Sequence, residues 1–62
     1  MDSLKFKGWL VEHNIKQGDL AKLLDITVEN VNAKLNGKQN FTLPQIKKIC
    51  STYSISADEF FF

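Results

Sequence analysis

One histidine, one cysteine and seven carboxylates are the first candidates in this 62-residue chain for ligating a metal or supporting nucleophilic attack. His13 and Cys50 are far apart, and neither falls into a ligand spacing with a carboxylate or with a second His or Cys. A lone histidine on a helix edge is usually structural, and the helical neighbours of Cys50 make it a core residue. The three glycines, Gly8, Gly18 and Gly37, build no phosphate-cradling loop. No metal, cofactor or small-molecule substrate is therefore expected. Size points the same way, because a chain of 7.1 kDa has room for one domain, residues 1–62. A catalytic pocket typically needs about 300 Å³ or more, which so small a body hardly encloses. A binding module is expected, not an enzyme.

The remaining chemistry is basic. Net charge is only +1, yet residues 32–48 hold Lys34, Lys38, Lys47 and Lys48 without an acid. Residues 17–31 set Lys22 against Asp19, Asp25 and Glu29, and residues 49–62 carry only Asp58 and Glu59. Positive charge is thus concentrated where a phosphate-facing loop would need it. An ordinary solvated lysine face is the plain alternative. All eight basic residues are lysine, so arginine, the commonest bidentate reader of guanine, is missing.

These side chains must be held by helices, because apolar residues recur at intervals of three and four and no β-branched alternation occurs. Helix 1 is expected to start after Asp2 or Ser3 and to run to about Glu12 or His13. Its stripe of Phe6, Trp9, Leu10 and His13 is widened by Leu4 and Val11. Helix 2 covers about Gln17 to Leu24, with Leu20, Leu23 and Leu24 inward and Asp19 complementing the helix dipole. Thr27 caps helix 3 at Asn30, with Ile26 and Val31 as a hydrophobic staple and Asn36-Gly37 as the end signal. Thr42-Leu43-Pro44-Gln45 reads as a capping box stapled by Phe41 and Ile46. Helix 4 then runs to about Thr52, burying Leu43, Ile46, Ile49, Cys50 and Tyr53. Ser56-Ala57-Asp58-Glu59 reads as a second box, stapled by Ile55 and Phe60, opening a short helix 5 to about Phe61. Agreement among these local signals predicts a compact all-α domain of five helices.

The most informative segment is Gln17 to Val31. Two short helices meet across Asp25-Ile26-Thr27, the connection of a helix-turn-helix. Ala21 sits where helix 3 crosses helix 2, since only a small side chain permits close approach. Leu20, Leu24, Ile26 and Val31 form the shared core beneath, leaving the outer face of helix 3 free to enter a groove.

Gln17, Leu20-Ala21, Leu24, Ile26, Val31 and Asn36-Gly37 together resemble the Cro/C1-type helix-turn-helix family of phage repressors and bacterial regulators. The close Ile55-Ser56-Ala57-Asp58-Glu59-Phe60 resembles the family's ending, so the likeness spans Phe6 to Phe60. It implies a lambda-repressor-like fold and binding of double-stranded DNA without catalysis. Three departures stand out. Asp25 holds the turn position usual for glycine, and Asp tolerates the left-handed region better than most residues. Lys16 replaces the usual Ser or Thr cap of helix 2. Leu10 and Leu35 replace an Arg–Glu ion pair common in the family. Swapping both members of a buried pair for packed apolar residues can be neutral or stabilising. Leu10 and Leu35 are therefore expected to touch and to tie helix 1 to helix 3.

The resemblance carries base reading onto Thr27, Val28, Glu29, Asn32 and Ala33. Asn32 suits adenine, and Val28 and Ala33 suit thymine methyls. Glu29 suits cytosine N4 or faces away from the phosphates. The plainer readings are an exposed polar helix residue for Asn32 and partial packing beside the turn for Val28. Gln17 at the start of helix 2 is placed to bond a phosphate. Lys38, Asn40 and the amides at Phe41 and Thr42 offer a second clamp, with Lys34 and Asn36 beside the same strand. A solvated loop is the plainer reading of Lys38 and Asn40. Lys5 and Lys7 are possible outer contacts that nothing in the sequence singles out. With Asn, Thr and apolar readers and no arginine, the operator is expected to be A·T-weighted.

Phe60-Phe61-Phe62 cannot all point inward from one helical turn, so Phe60 is assigned to the core and Phe61 or Phe62 to the surface. Tyr53, Phe61 and Phe62 are the expected contacts of a homodimer, formed at least on DNA, whose half-sites lie about 34 Å apart. Truncation of a longer chain is the alternative. Composition, 44% hydrophobic and 24% charged, is globular. No apolar run approaches the ~18 residues of a bilayer span, the first residues lack a signal peptide, and a lone thiol suits a reducing cytoplasm. The rival class is a helix-turn-helix-fold module that binds another protein, such as an antirepressor or antitoxin-like adaptor. Low net charge, Glu29 on the reading face and the terminal aromatics favour it.

Overall fold

The computed structural model describes residues 3–62; of the expected cap at Asp2 or Ser3, Asp2 and the Ser3 side chain lie outside what is described. Among the described residues there are five helices and no strand: α1 (Ser3–Glu12), α2 (Gln17–Leu24), α3 (Val28–Leu35), α4 (Leu43–Tyr53) and α5 (Ala57–Phe60).

Local side-chain chemistry sets the helix starts. Thr27 Oγ1 accepts the Asn30 N–H at 3.1 Å and opens α3. Thr42 and Gln45 form the full box of α4, Thr42 Oγ1 accepting the Gln45 N–H at 3.3 Å and Gln45 Oε1 accepting the Thr42 N–H at 3.0 Å. At α2 the weak cap Lys16 is rescued from inside the helix. Its side chain has no acceptor, but Asp19 Oδ2 accepts the Lys16 N–H at 2.9 Å. The second box is only half formed. Ser56 Oγ accepts from the Asp58 N–H at 3.3 Å, one residue short of the third helical position where the return bond from Glu59 is built.

The ends of α1 to α4 follow one rule. Asn14, Asp25 and Ser54 adopt left-handed backbone, with φ of 56°, 57° and 56°. Each is followed by isoleucine, and the N–H of that isoleucine reaches back to the helix. Ile15 bonds Leu10 O at 2.9 Å, Ile26 bonds Ala21 O at 3.0 Å, and Ile55 bonds Cys50 O at 3.1 Å. Lys38 does the same to Ala33 O at 2.9 Å after Gly37, whose φ is 79°. Such closures satisfy the last carbonyls and turn an apolar residue back onto the helix. All three isoleucines are half-buried and pack against the core. Asp25→Gly is expected to remove the Cβ strain at φ 57° and raise stability by about 0.5 kcal/mol. A rise of a few degrees in Tm by circular dichroism checks it; a lower Tm would mean that the carboxylate, not the backbone, dominates there.

The core runs through all five helices, with Phe6, Leu20, Val31, Leu35 and Ile49 fully enclosed. α3 packs on α2 and α1, α2 also on α4, and α5 closes against α1 and α4. Phe6 is the hub, its ring centroid 5.1 Å from that of Phe61, 5.5 Å from Phe60, 6.1 Å from Trp9 and 6.2 Å from Phe41.

Several expected core or surface positions differ. Leu4 and Val11 do not widen the stripe of α1, being 81% and 79% exposed, because no helix packs outside that face. Leu43 is 62% exposed. It starts α4 on the outer side, while the staple partners Phe41 and Ile46 close the inner side. Phe61, an expected dimer contact, lies in the core: it caps α5 through its N–H to Ala57 O at 2.8 Å and packs on Phe6 and Phe41. Of the three terminal rings only Phe62 is exposed, at 74%.

Candidate nucleic-acid interface

The turn Asp25-Ile26-Thr27 joins α2 to α3, with Ala21, Leu20 and Val31 buried beneath it. This seam fixes which side of α3 remains open. Thr27, Val28, Glu29, Asn30 and Asn32 are exposed and Ala33 is half-buried. The five expected readers therefore occupy the cap and the uncovered part of one helix.

Sequence-distant polar groups converge beside them. Asn32 Nδ2 donates to Gln17 Oε1 at 3.4 Å, joining α3 to the start of α2. Asn36 Nδ2 donates to Asn32 Oδ1 at 2.9 Å. The Lys7 ammonium of α1 in turn donates to Asn36 Oδ1. Gln17, Asn32 and Asn36 are thus brought together as one chain of hydrogen bonds, in which Lys7 is the residue that sequence reasoning did not single out. Leu10 and Leu35 are both buried and wall one hollow of about 440 Å³, with Lys7 and Gln17 on its rim. Lys7 stands one turn before Leu10 and Asn36 follows Leu35, so the packing of α1 on α3 brings Lys7 near Asn36.

The phosphate-side residues divide. Lys38, Asn40 and Thr42 are exposed on the loop between α3 and α4. Lys34, expected beside them, is only 8% exposed. Its ammonium donates to the Asn40 carbonyl at 2.9 Å and lies 5.8 Å from the Phe41 ring centroid. A cation held between a carbonyl and an aromatic ring is stabilised away from water. Lys34 therefore shapes the loop instead of facing outward with it. The Thr42 amide is engaged by Gln45 within the capping box, which removes it from the proposed clamp.

Tyr53 is half-buried with its ring edge-on to Trp9 at 5.6 Å, and burial, then the Asp19 carboxylate, pushes its phenol above the ordinary range. Burial also pushes the Cys50 thiol up, which disfavours the thiolate needed for nucleophilic chemistry. The His13 ring lies tilted against that of Trp9, with centroids 4.4 Å apart. Among the described residues no three His, Cys, Asp or Glu side chains gather as a metal site, and no helix is long and apolar enough to cross a membrane.

No curated protein and no solved structure matches the chain. Residues 5–61 match the family of the Cro/C1-type HTH DNA-binding domain, from α1 to the last turn after α5. The helix-turn-helix seam, the uncovered face of α3 and this match over nearly the whole sequence agree: the chain belongs to the Cro/C1-type helix-turn-helix DNA-binding domain family.

Proposed function

We propose that the chain is a sequence-reading regulator of phage-repressor type, whose α3 enters the major groove of an A·T-weighted operator. Asn32 is the central base reader, with Thr27, Val28, Glu29 and Ala33 beside it. Gln17, Asn36, Lys38, Asn40 and the Thr42 side chain line the phosphates, and occlusion of a promoter in the cytoplasm follows from occupancy. The observation that carries this reading is the bond from Asn32 to Gln17, which joins a base-reading position to a phosphate-binding one across the helix-turn-helix. A base contact is accurate only when its side chain is held in register with the backbone contacts. Few lysines face outward there, so a monomer binds weakly and pairing of two copies on one operator supplies affinity. With Phe61 in the core, Phe62 and Tyr53 remain as the aromatic contacts between copies.

The test is fluorescence anisotropy on a random duplex pool at about 50 and 200 mM salt, with sequencing of the bound fraction. Salt-sensitive enrichment of a short palindromic site supports the proposal; no binding at low salt transfers the chain to the protein-binding class. On the enriched site Asn32→Ala is expected to lose about 1–3 kcal/mol and to lose little on random DNA. Lys38→Ala weakens both and flattens the salt dependence by about one unit. Equal losses from Asn32→Ala on both DNAs would show that it reads no base.

A further inference from the structure

The chain of bonds from Lys7 to Gln17 has a direction, and that direction is set at one end. A carboxamide can turn over, exchanging its oxygen for its nitrogen with almost no change of shape. A lysine ammonium has donors only. Facing Lys7, Asn36 must present Oδ1, which leaves its Nδ2 for Asn32 Oδ1. Asn32 must then turn Nδ2 toward Gln17 Oε1. Gln17 is left with its NH₂ group uncommitted, and Asn32 with one N–H and one oxygen lone pair.

We propose that Lys7, on α1 and outside the helix-turn-helix, is a positioning residue that fixes which atoms Asn32 and Gln17 offer to DNA. The inference rests on the interface reading given above. Phosphate oxygens only accept, so Gln17 serves them through the NH₂ group that this polarity leaves available. Adenine offers an acceptor at N7 and a donor at N6 in a fixed order. An Asn32 amide that cannot turn over matches that order in one sense only. The three bonds lie at the surface, where water competes and each contributes little stability. In a groove that excludes water the same bonds decide orientation. A carboxylate at position 7 accepts only, reverses every amide in turn, and leaves Gln17 offering an oxygen to a phosphate.

The test separates the hydrogen-bonded chain from the DNA. In the free protein, ¹⁵N–¹H spectra of the side-chain amides are compared for wild type, Lys7→Arg, Lys7→Met and Lys7→Glu, with backbone amides reporting an intact fold. Lys7→Met and Lys7→Glu are expected to shift the NH₂ resonances of Asn32 and Gln17 as well as those of Asn36, to which Lys7 is bonded, and Lys7→Arg to leave them near wild type. On DNA the readout is the ratio of operator to random-duplex affinity, which cancels the non-specific effect of the changed charge, one unit for Lys7→Met and two for Lys7→Glu. Lys7→Glu lowers that ratio about tenfold, the scale of one misplaced base contact, and Lys7→Arg preserves it. Unmoved amide resonances overturn the proposal, and so do shifted resonances with an unchanged ratio. Should wild type bind no duplex, the interface reading has failed, and the resonances alone decide whether Lys7 orients the chain.

Discussion

Phe6→Ala is expected to remove at least about a third of the protein's stability. The Phe6 side chain is fully buried, and four other aromatic rings pack around it. Truncating such a ring removes its transfer free energy and leaves a cavity, together about 3–5 kcal/mol. A chain of this length has a total stability of only about 3–9 kcal/mol. Collapse into the gap is restricted, because the surrounding rings come from α1, the α3–α4 loop, α5 and the residue after it. Urea titration followed by far-ultraviolet circular dichroism measures the loss directly, and Trp9 fluorescence should report the same transition. Phe6→Leu keeps part of the volume and is expected to lose about 1–2 kcal/mol. A midpoint for Phe6→Ala close to wild type would show that the other rings carry the core without it.

The second large effect concerns the leucine pair. Leu35 is 1% exposed and Leu10 is 4% exposed, on α3 and α1 respectively. Leu35→Glu places a carboxylate among apolar side chains and is expected to lose about 3–5 kcal/mol, as an unpaired buried charge does. Leu10→Arg/Leu35→Glu supplies the partner, and the open hollow of about 440 Å³ that both positions line offers room for the longer side chain. The double variant should therefore recover much of the loss, with a coupling energy of about 2 kcal/mol in the double-mutant cycle. The sign of the pH dependence provides an internal check. An unpaired buried carboxyl has a raised folded pKa, so the single variant gains stability as pH falls toward 4, where the group enters the fold neutral. Additive losses in the cycle would mean that the two leucines do not share one environment.

Much of the fold was legible because its determinants act over three or four residues. Thr27 to Asn30 and Thr42 to Gln45 are contacts within one helical turn, and both form where the residue types announce them. Asp25 in the left-handed region was legible from the family pattern, which holds a glycine at that turn position. The Ser56–Glu59 box shows the limit of that reasoning, because a four-residue helix does not hold its third position firmly enough to complete the pair.

At the site, Gln17 and Asn32 could be placed on the same side of the helix-turn-helix from the family pattern, but not their bond to one another. Lys34 was misplaced because a lysine reads as solvent-facing until a ring and a carbonyl are known to surround it. Its burial depends on the loop folding back so that Asn40 and Phe41 flank the ammonium. No local rule encodes that return.

The amino-acid sequence by itself determined where each helix begins and ends, which apolar residues were available for a core, and that α2 and α3 form a helix-turn-helix. Those properties follow from backbone valence and side-chain reach within a turn. Only the tertiary structure decided which apolar residues were enclosed, leaving Leu4, Val11, Leu43 and Phe62 outside and taking Phe61 in. It alone linked Lys7, Asn36, Asn32 and Gln17 into one directed chain. Burial and convergence are collective: a face is covered only when other helices arrive on it, and their arrival is a property of the whole packing.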